Sequence, residues 1–375
     1  MTSNPTPLTK HPSCCHTSLT SSETITSQNH IFKMSLPTQF VTIVIPVLNE
    51  AKIIEDCLLS VINQDYPKEQ MEILVVDGMS TDGTRDIVSK MKETDARIIL
   101  LDNPKKNVPC ALNIGIKKAK GSIIVRMDSH SVYTPYYVST LVNKMVELDA
   151  WNVGGVLITT PANNSVKCLS IATCLSHPFG VGSSLFRIGS TNIVETDTVP
   201  FGCFKKSLFD KVGLFDEEML RNEDEEINGR IRRAGGKIYL IPEVTMKYYP
   251  RDSLTKLFKM YYQYGLWKPL VNKKVGNAVS LRQFVPPLFV FGLVFGLILA
   301  LFSPIFLKIY LSVLLLYLLI TISVGVRQAI KHSKPLLCIY IPITFFCLHL
   351  SYGIGYLWGL CNLFRYKNLN YSLDR

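Results

Sequence analysis

The chain has 375 residues, 40 Lys and Arg against 29 Asp and Glu for a formal net charge of +11, and it is 47% hydrophobic but only 18% charged, with a mean hydropathy of +0.21. That length holds one large or two ordinary domains and excludes a disulfide-stapled miniprotein, while the apolar bias excludes a disordered or fibrous chain and places part of it in lipid. Eight cations against one aspartate lie between Thr245 and Gln283 and seven against one from Phe284 onward, leaving the first 244 residues slightly acidic; this excludes a nucleic-acid-binding face spread over the chain and suits anionic lipid headgroups.

Only Cys14 and Cys15 of the 10 cysteines stand close together, which leaves no disulfide framework and no CxxC metal site. Reduced, mostly buried thiols are expected, as suits reducing cytosol. Residues 1–38 are rich in Ser and Thr without apolar periodicity and are expected to form a disordered tail. They hold no apolar core of a signal peptide and no Arg of a transit peptide. Met34, just ahead of the first strand pattern, is the expected start of translation.

Residues 39–250 alternate β-rich runs with helical patterns. Strands are predicted over Val41 to Ile45, Glu72 to Asp77, Arg97 to Leu101, Ser122 to Asp128 and Trp151 to Ile158. Helices are predicted over Glu50 to Asn63, Asp82 to Lys92, Val108 to Lys118, Pro135 to Leu148 and Glu226 to Ala234. Such βαβ alternation predicts an α/β fold with a mixed, mostly parallel, Rossmann-like sheet, helices on both faces, and ligands beyond the carboxyl ends of the strands.

Those ends carry polar signals. VTIVIPVLNE stops at Pro46 and reaches Asn49 and Glu50, which read equally well as a helix cap with an acidic first turn. The second strand ends at Asp77 in VVDGMSTDGT, where Gly78 and Gly83 permit a tight turn and Asp82 caps the next helix. In IIVRMDSH, Asp128 and His130 stand two apart, so in extended chain they face one way and suit one hard divalent ion, Mg²⁺ or Mn²⁺; a turn aspartate beside a solvated histidine is the plainer alternative. LRNEDEEINGR places Glu223, Asp224, Glu225 and Glu226 at the head of a helix, either as a dipole-favoured acidic cap or as the source of a general base.

Residues 251–283 mix Lys256, Lys259, Lys268, Lys273 and Lys274 with Phe258, Tyr261, Tyr262, Tyr264 and Trp267, as a basic amphipathic segment at a membrane interface does. Residues 284–364 contain three uncharged runs, Phe284 to Leu307, Ile309 to Val326 and Pro335 to Phe364, each long enough to cross a bilayer. The basic stretch before Phe284 and the loop with Arg327, Lys331 and Lys334 place the catalytic part in the cytosol. Three crossings put Arg365 and Lys367 of the tail 365–375 outside, a conflict that a re-entrant last segment removes.

Together these motifs resemble the family 2 glycosyltransferases of the GT-A fold, over about Phe40 to Lys268. The likeness rests on PVLNE at Pro46 to Glu50, VDGMSTDGT at Asp77 to Thr84, the run of Asn113, Gly115, Ala119 and Gly121, DSH at Asp128 to His130, and NEDEE at Asn222 to Glu226. RMDSH, VPFGCF at Val199 to Phe204 and HLSYGIGYLWG at His349 to Gly359 resemble the bacterial exopolysaccharide branch that makes succinoglycan.

The resemblance implies that Asp77 binds the base of a nucleotide-sugar, in a pocket walled by Pro46 and Glu50. It adds Asn113, Arg126 and Asp128 to the donor-binding set, assigns a divalent metal to Asp128 and His130, and makes Asp224, beside Glu223, the catalytic base of an inverting displacement. His130 replaces the second Asp of the family's DxD, and Gly78 the second Asp of a common Asp-Asp pair. QYGLW keeps Gln263 and Trp267 of the QxxRW signature of processive synthases but has Leu266 for its Arg. This favours a single-addition transferase in which Gln263 and Trp267 close over the donor or acceptor.

The expected partners are a nucleotide-sugar, in the first place a UDP-sugar, a polyprenyl-diphosphate-linked or growing glycan acceptor, the lipid bilayer and other glycan-assembly enzymes. The expected location is a bacterial or archaeal inner or plasma membrane. A transferase that charges a polyprenyl phosphate directly, as dolichyl-phosphate mannose synthases do, and an inactive membrane scaffold are the alternatives.

Overall fold

The computed structural model describes residues 39–278 and 280–363; the expected tails 1–38 and 365–375, with Met34, Arg365 and Lys367, lie outside the described residues. The strands are β1 (Val41–Val47), β2 (Met71–Asp77), β3 (Ile98–Asp102), β4 (Ile123–Arg126), β5 (Ser131–Tyr133), β6 (Asn152–Thr159), β7 (Val194–Glu195), β8 (Cys203–Lys205) and β9 (Ile238–Tyr248). The helices of the same half are α1 (Ile54–Ile62), α2 (Thr84–Thr94), α3 (Val108–Lys118), α4 (Tyr137–Glu147), α5 (Val166–Leu175), α6 (Pro178–Val181), α7 (Leu185–Ile188), α8 (Leu208–Val212) and α9 (Glu223–Arg233). Four more follow, α10 (Leu254–Val275), α11 (Val285–Phe302), α12 (Pro304–His332) and α13 (Leu337–Cys361).

β1 is buried at every position, as an inner strand covered on both faces must be. Its alternate residues feed two cores: Ile43, Ile45 and Val47 join Leu58 of α1 and Leu141 of α4, while Val44 joins Leu112 of α3 and Ile231 of α9. One sheet runs β3-β2-β1-β4-β8-β6-β9-β5, with β7 on β9. The first four strands in that order are parallel. The pattern breaks at β8, which is antiparallel to both β4 and β6. β8 has three residues, too few for periodicity to reveal.

The order of β1 and β4 opens the site. β4 pairs β1 only as far as Val44 with Arg126. Val44 O accepts from Met127 N at 3.1 Å, so by alternation Pro46 turns its missing N–H to the side where β4 has already ended. The chain therefore leaves the sheet at Asp128 without robbing a neighbour of a hydrogen bond, and a notch opens between the two strand ends.

α10 is not a helix lying loose on a surface. A Cβ on Gly265 would collide with Tyr352 O, and one on Gly355 with Tyr262 O, so α10 and α13 cross backbone to backbone. Lys268 is buried and paired with Glu225, and Lys274 bonds Asp216 and Glu218. These two lysines face the catalytic half, which corrects the expectation that all five lysines reach lipid.

Three spans, Leu281–Phe302, Pro304–His332 and Leu337–Cys361, are long and apolar enough to cross a membrane. The break between the first two falls at Ser303, whose Oγ accepts from Ile305 N at 3.3 Å ahead of Pro304. Lys308 thus lies inside α12 and not in a connecting loop. Cys57, Cys110, Cys168, Cys174 and Cys203 are buried free thiols, as expected.

Candidate active site

The loops after β1 and β2 are stitched to each other. Asn49 N donates to Ser80 Oγ at 2.8 Å, Thr81 N to Asn49 Oδ1 at 2.9 Å, Glu50 N to Thr84 Oγ1 at 2.9 Å and Ala51 N to Asp82 Oδ2 at 3.0 Å. Asn49 therefore caps no helix of its own; it sits at φ 54° and holds the neighbouring loop. Asp82 does meet the start of α2, accepting from Thr84 N at 3.1 Å. Asp77, at the end of β2, accepts from Ser80 N at 3.0 Å and Arg85 Nη1 at 2.7 Å through Oδ2, while its buried Oδ1 has no hydrogen-bond partner among the described residues. It is an unfilled acceptor.

At the end of β4 a single guanidinium gathers three carboxylates. Arg126 forks onto Asp128 through Nε at 2.8 Å and Nη2 at 3.1 Å, reaches Asp224 Oδ1 through Nη1 at 2.7 Å, and meets Glu223 Oε1 at 3.2 Å. Burial alone would lower the Arg126 pKa, but the surrounding Asp128, Asp224 and Glu223 raise it well above its ordinary value. Burial pushes the Asp224 carboxyl up to about 7; Arg126 opposes this, and Glu223 and Asp128 add to it. Asp224 thus stands close to the pKa that suits a base at neutral pH.

The four acids of the α9 head have separate destinations. Glu223 and Asp224 turn to Arg126, Glu225 to Lys268, and Glu226 to Arg230 with Oε2 at 2.7 Å from Nη2. Asn222 enters the helix at φ 62° and its Nδ2 donates to Tyr264 O at 3.0 Å, and Arg221 Nε donates to Gln263 Oε1 at 3.0 Å. α10 therefore clamps the acidic segment in place.

A backbone kink supports the guanidinium from below. Phe201 at φ 63° lays its ring 5.5 Å from Arg126 Cζ, a cation–π contact in strained backbone of the kind that marks functional sites. Gly202 follows at φ 62°, and a Cβ there would collide with the Phe204 ring. VPFGCF carries this kink, although its residues announce no chemistry by themselves.

A cavity of about 1340 Å³ brings together Pro46, Glu50, Arg126, Asp128, His130, Glu223 and Asp224. Asp77, Asn113, Gln263 and Trp267 are not on its wall. Asn113 instead holds the chain at Phe215, donating to Phe215 O and accepting from Phe215 N, both at 2.9 Å. Trp267 is buried with Met219 and Leu270 beneath the acidic segment, while its neighbours Tyr261, Tyr264 and Lys268 do reach the cavity. The cavity also takes in Arg187, Tyr248, Arg251 and Arg282, which lie where no periodic pattern drew attention to them, and it extends to Phe289, Tyr317 and Tyr352 of the apolar helices.

Asp128 and His130 were expected to share an ion. His130 Nε2 is 3.7 Å from Asp128 Oδ2, near the roughly 3 Å that separates two adjacent ligands of an octahedral ion with bonds of about 2.1 Å. Among the described residues no group of three or more His, Cys, Asp or Glu could enclose an ion. Both Asp128 oxygens also accept from Arg126, so an ion at this pair would share the carboxylate with the guanidinium and take its other ligands from substrate phosphate and water.

The family model described as glycosyl transferase family 2 matches residues 42–212. The chain is 30% identical over 329 residues to the dolichyl N-acetyl-α-D-glucosaminyl phosphate 3-β-D-2,3-diacetamido-2,3-dideoxy-β-D-glucuronosyltransferase of Methanococcus voltae, across 86% of this chain and 97% of that protein. It is 31% identical over 246 residues to the succinoglycan biosynthesis protein ExoA of Rhizobium meliloti, across 65% of this chain and 73% of that protein. A mannosyltransferase of Pyrobaculum calidifontis, solved with GDP-mannose and Mn²⁺, aligns with a TM-score of 0.54 over 85% of this chain and 87% of its own, at 18% identity. That likeness is one of fold, and the fold is GT-A.

Proposed function

Because the chain belongs to the family 2 glycosyltransferases, we propose that it moves a sugar with inversion from a nucleotide-sugar, in first place a UDP-sugar, to a hydroxyl of a lipid-linked acceptor. The observation that carries this reading is the single cavity that joins the Arg126 carboxylate cluster to the apolar helices. A soluble acceptor would need no such continuity. The Methanococcus voltae relative is named for a dolichyl phosphate that carries a sugar, which supports a lipid-phosphate-linked acceptor here. The cations Arg327 and Lys331, in the last turns of α12 and not in a loop, and Lys334 just beyond it favour a cytosolic catalytic half at an inner or plasma membrane.

The proposed chemistry uses the chain's own residues. Arg126 holds Asp224 Oδ1 and fixes the carboxylate that takes the proton of the acceptor hydroxyl. The oxygen attacks the anomeric carbon, and the bond to phosphate breaks with its electron pair leaving on the nucleoside diphosphate. The unfilled Asp77 Oδ1, behind the cavity wall, would accept from an N–H of a base that enters past Pro46 and Glu50. Asp128 and His130 would hold a divalent ion, Mg²⁺ or Mn²⁺, which neutralises the leaving diphosphate when bound. Gln263 and Trp267 act at one remove, by bracing the acidic segment through Arg221 and Met219.

The test is to incubate membranes containing the protein with radiolabelled UDP- and GDP-sugars, with and without a polyprenyl-phosphate-linked sugar, and to extract the lipid. Label is expected on the lipid only when the sugar-bearing acceptor is present. Label on bare polyprenyl phosphate would instead identify a carrier-charging enzyme, and nucleotide binding without transfer a scaffold.

A further inference from the structure

We propose that the half of the cavity facing the apolar helices is a lipid-phosphate site, in which Arg187 and Arg251 bind the phosphate of a polyprenyl carrier and Phe289, Tyr317 and Tyr352 receive the first units of its chain. The inference rests on the transferase reading above and assigns the acceptor side of it.

Charge divides the cavity. At the strand ends the guanidinium of Arg126 is enclosed by carboxylates. On the other side Arg187 pairs with no carboxylate among the described residues, and its Nη1 is buried without a hydrogen-bond partner. Its guanidinium lies instead against two rings, 5.3 Å from Phe186 and 5.4 Å from Tyr248. A buried N–H without an acceptor is costly to leave so, and a planar guanidinium held by aromatic faces presents its edge to an oxyanion. Arg251 lines the same cavity, again with no ion pair among the described residues. Arg282 and Lys256 also line it, but each is already answered, by Asp197 at 2.9 Å and by Asp252 at 2.9 Å. Arg221 lines the cavity too, but its Nε is given to Gln263 Oε1 beside the acidic segment, so the cations left for a ligand away from the catalytic carboxylates are Arg187 and Arg251.

Position selects a lipid anion. The Tyr248 ring lies between Arg187 and His130, 6.4 Å from the His130 ring. A phosphate at Arg187 would thus lie across one aromatic ring from the His130 side of the cavity. In the other direction the cavity reaches Tyr317 of α12, which lies level with Phe289, four residues and so about 6 Å into α11 from its catalytic-side end. Phe289 stacks on Tyr317 at 4.9 Å. His349 joins this wall to the catalytic half, with Nδ1 3.0 Å from Tyr317 Oη and Nε2 2.9 Å from Phe179 O. A phosphate bound at Arg187 would thus have charged residues on its sugar side and an aromatic slot inside the apolar helices on its other side. A prenyl chain fits that slot by its chemistry, since Phe289, Tyr317 and Tyr352 offer apolar rings on the apolar helices.

The test uses the full chain in phosphatidylcholine nanodiscs, with geranylgeranyl phosphate as the lipid probe, inorganic phosphate as the free anion, and UDP and GDP as donor-side probes. Arg187→Gln should raise the Kd for geranylgeranyl phosphate roughly 10- to 100-fold, as loss of a charge-assisted bond does, with Arg187→Lys recovering part of it. Arg251→Gln should act in the same direction, and neither variant should shift nucleotide affinity more than about twofold. Retained nucleotide affinity certifies folding, and if Arg187→Gln does not fold, Arg251→Gln decides. Unchanged lipid affinity in both variants would overturn the proposal. So would equal weakening of nucleotide and lipid, which would assign the arginines to the donor diphosphate, or displacement of the lipid by millimolar inorganic phosphate, which would point to a free anion. Failure of the transferase reading shows separately, as absence of sugar transfer in the unaltered protein while these affinities persist.

Discussion

At the strand ends Arg126 answers three carboxylates, whereas toward the apolar helices Arg187 answers none among the described residues and rests on tyrosine and phenylalanine rings. The first arrangement is closed: its charges are satisfied before any substrate arrives, and it is organised when the chain folds. The second is open and gains its missing acceptor only from a ligand. Chemistry and binding are thereby separated along one cavity, so damage at the closed end should appear in stability and turnover, and damage at the open end in affinity.

Arg126→Gln is the severest way to break the closed end. It leaves Asp128, Glu223 and Asp224 crowded without their cation, and loss of one member of a buried ion group costs about 3–5 kcal/mol. Chemical denaturation should show a loss of that order, with turnover lost as well; a variant within about 1 kcal/mol of the parent would mean the carboxylates do not depend on the guanidinium. Asp224→Asn keeps shape and the bond to Arg126 but cannot take a proton. It should lower kcat by about 10² or more with nucleotide affinity nearly intact. If Glu223→Gln caused that loss and Asp224→Asn did not, the base would be Glu223.

How much of this was legible in the sequence depended on distance along the chain. Asp128, Glu223 and Asp224 stood out because strand ends and helix heads collect chemistry, and the two stitched loops were visible as separate motifs. Their cross-ties were not, since Asn49 read locally as a cap. The role of Arg126 as a hub was hidden because its partners Glu223 and Asp224 lie 97 and 98 residues away. Gln263 and Trp267 kept a signature spacing, yet the close crossing of α10 with α13 turns them under the acidic segment. Arg187 sits in short helices that carry no periodic signal. The break at Ser303 and Pro304 was readable, as a helix cap followed by a proline, but three uncharged runs in succession masked it.

The closed end can also be titrated. Asp224 must be ionised to act as base and its pKa is raised to about 7, so kcat should fall about tenfold per unit below that pH and level off above it. On stability the same shift has the opposite sign. The folded state holds this proton more tightly than the unfolded chain, so the contribution is present below the ordinary carboxyl range and lost as pH rises through about 7. A pH-independent kcat between 5 and 8 would remove Asp224 as the base. A milder change is His130→Ala, which should raise the divalent ion concentration needed for half-maximal activity by roughly tenfold while Asp128→Ala abolishes the response. Full activity in excess EDTA would show that the site needs no ion.

The sharpest form of the comparison removes the other guanidinium and asks how little happens to the fold. Arg187→Gln deletes cation–π contacts with Phe186 and Tyr248, worth about 0.5–2 kcal/mol. It also deletes a buried N–H that has no partner among the described residues, whose burial costs about 1–3 kcal/mol. The two nearly cancel, so the stability without ligand should stay within about 1 kcal/mol of the parent, far from the loss expected for Arg126→Gln. Prenyl phosphate should then separate the proteins, raising the Tm of the parent by mass action and leaving that of Arg187→Gln almost unmoved. A large loss of stability without ligand would mean that Arg187 belongs to a closed network of its own, and the division of the cavity into a satisfied end and a waiting end would fail.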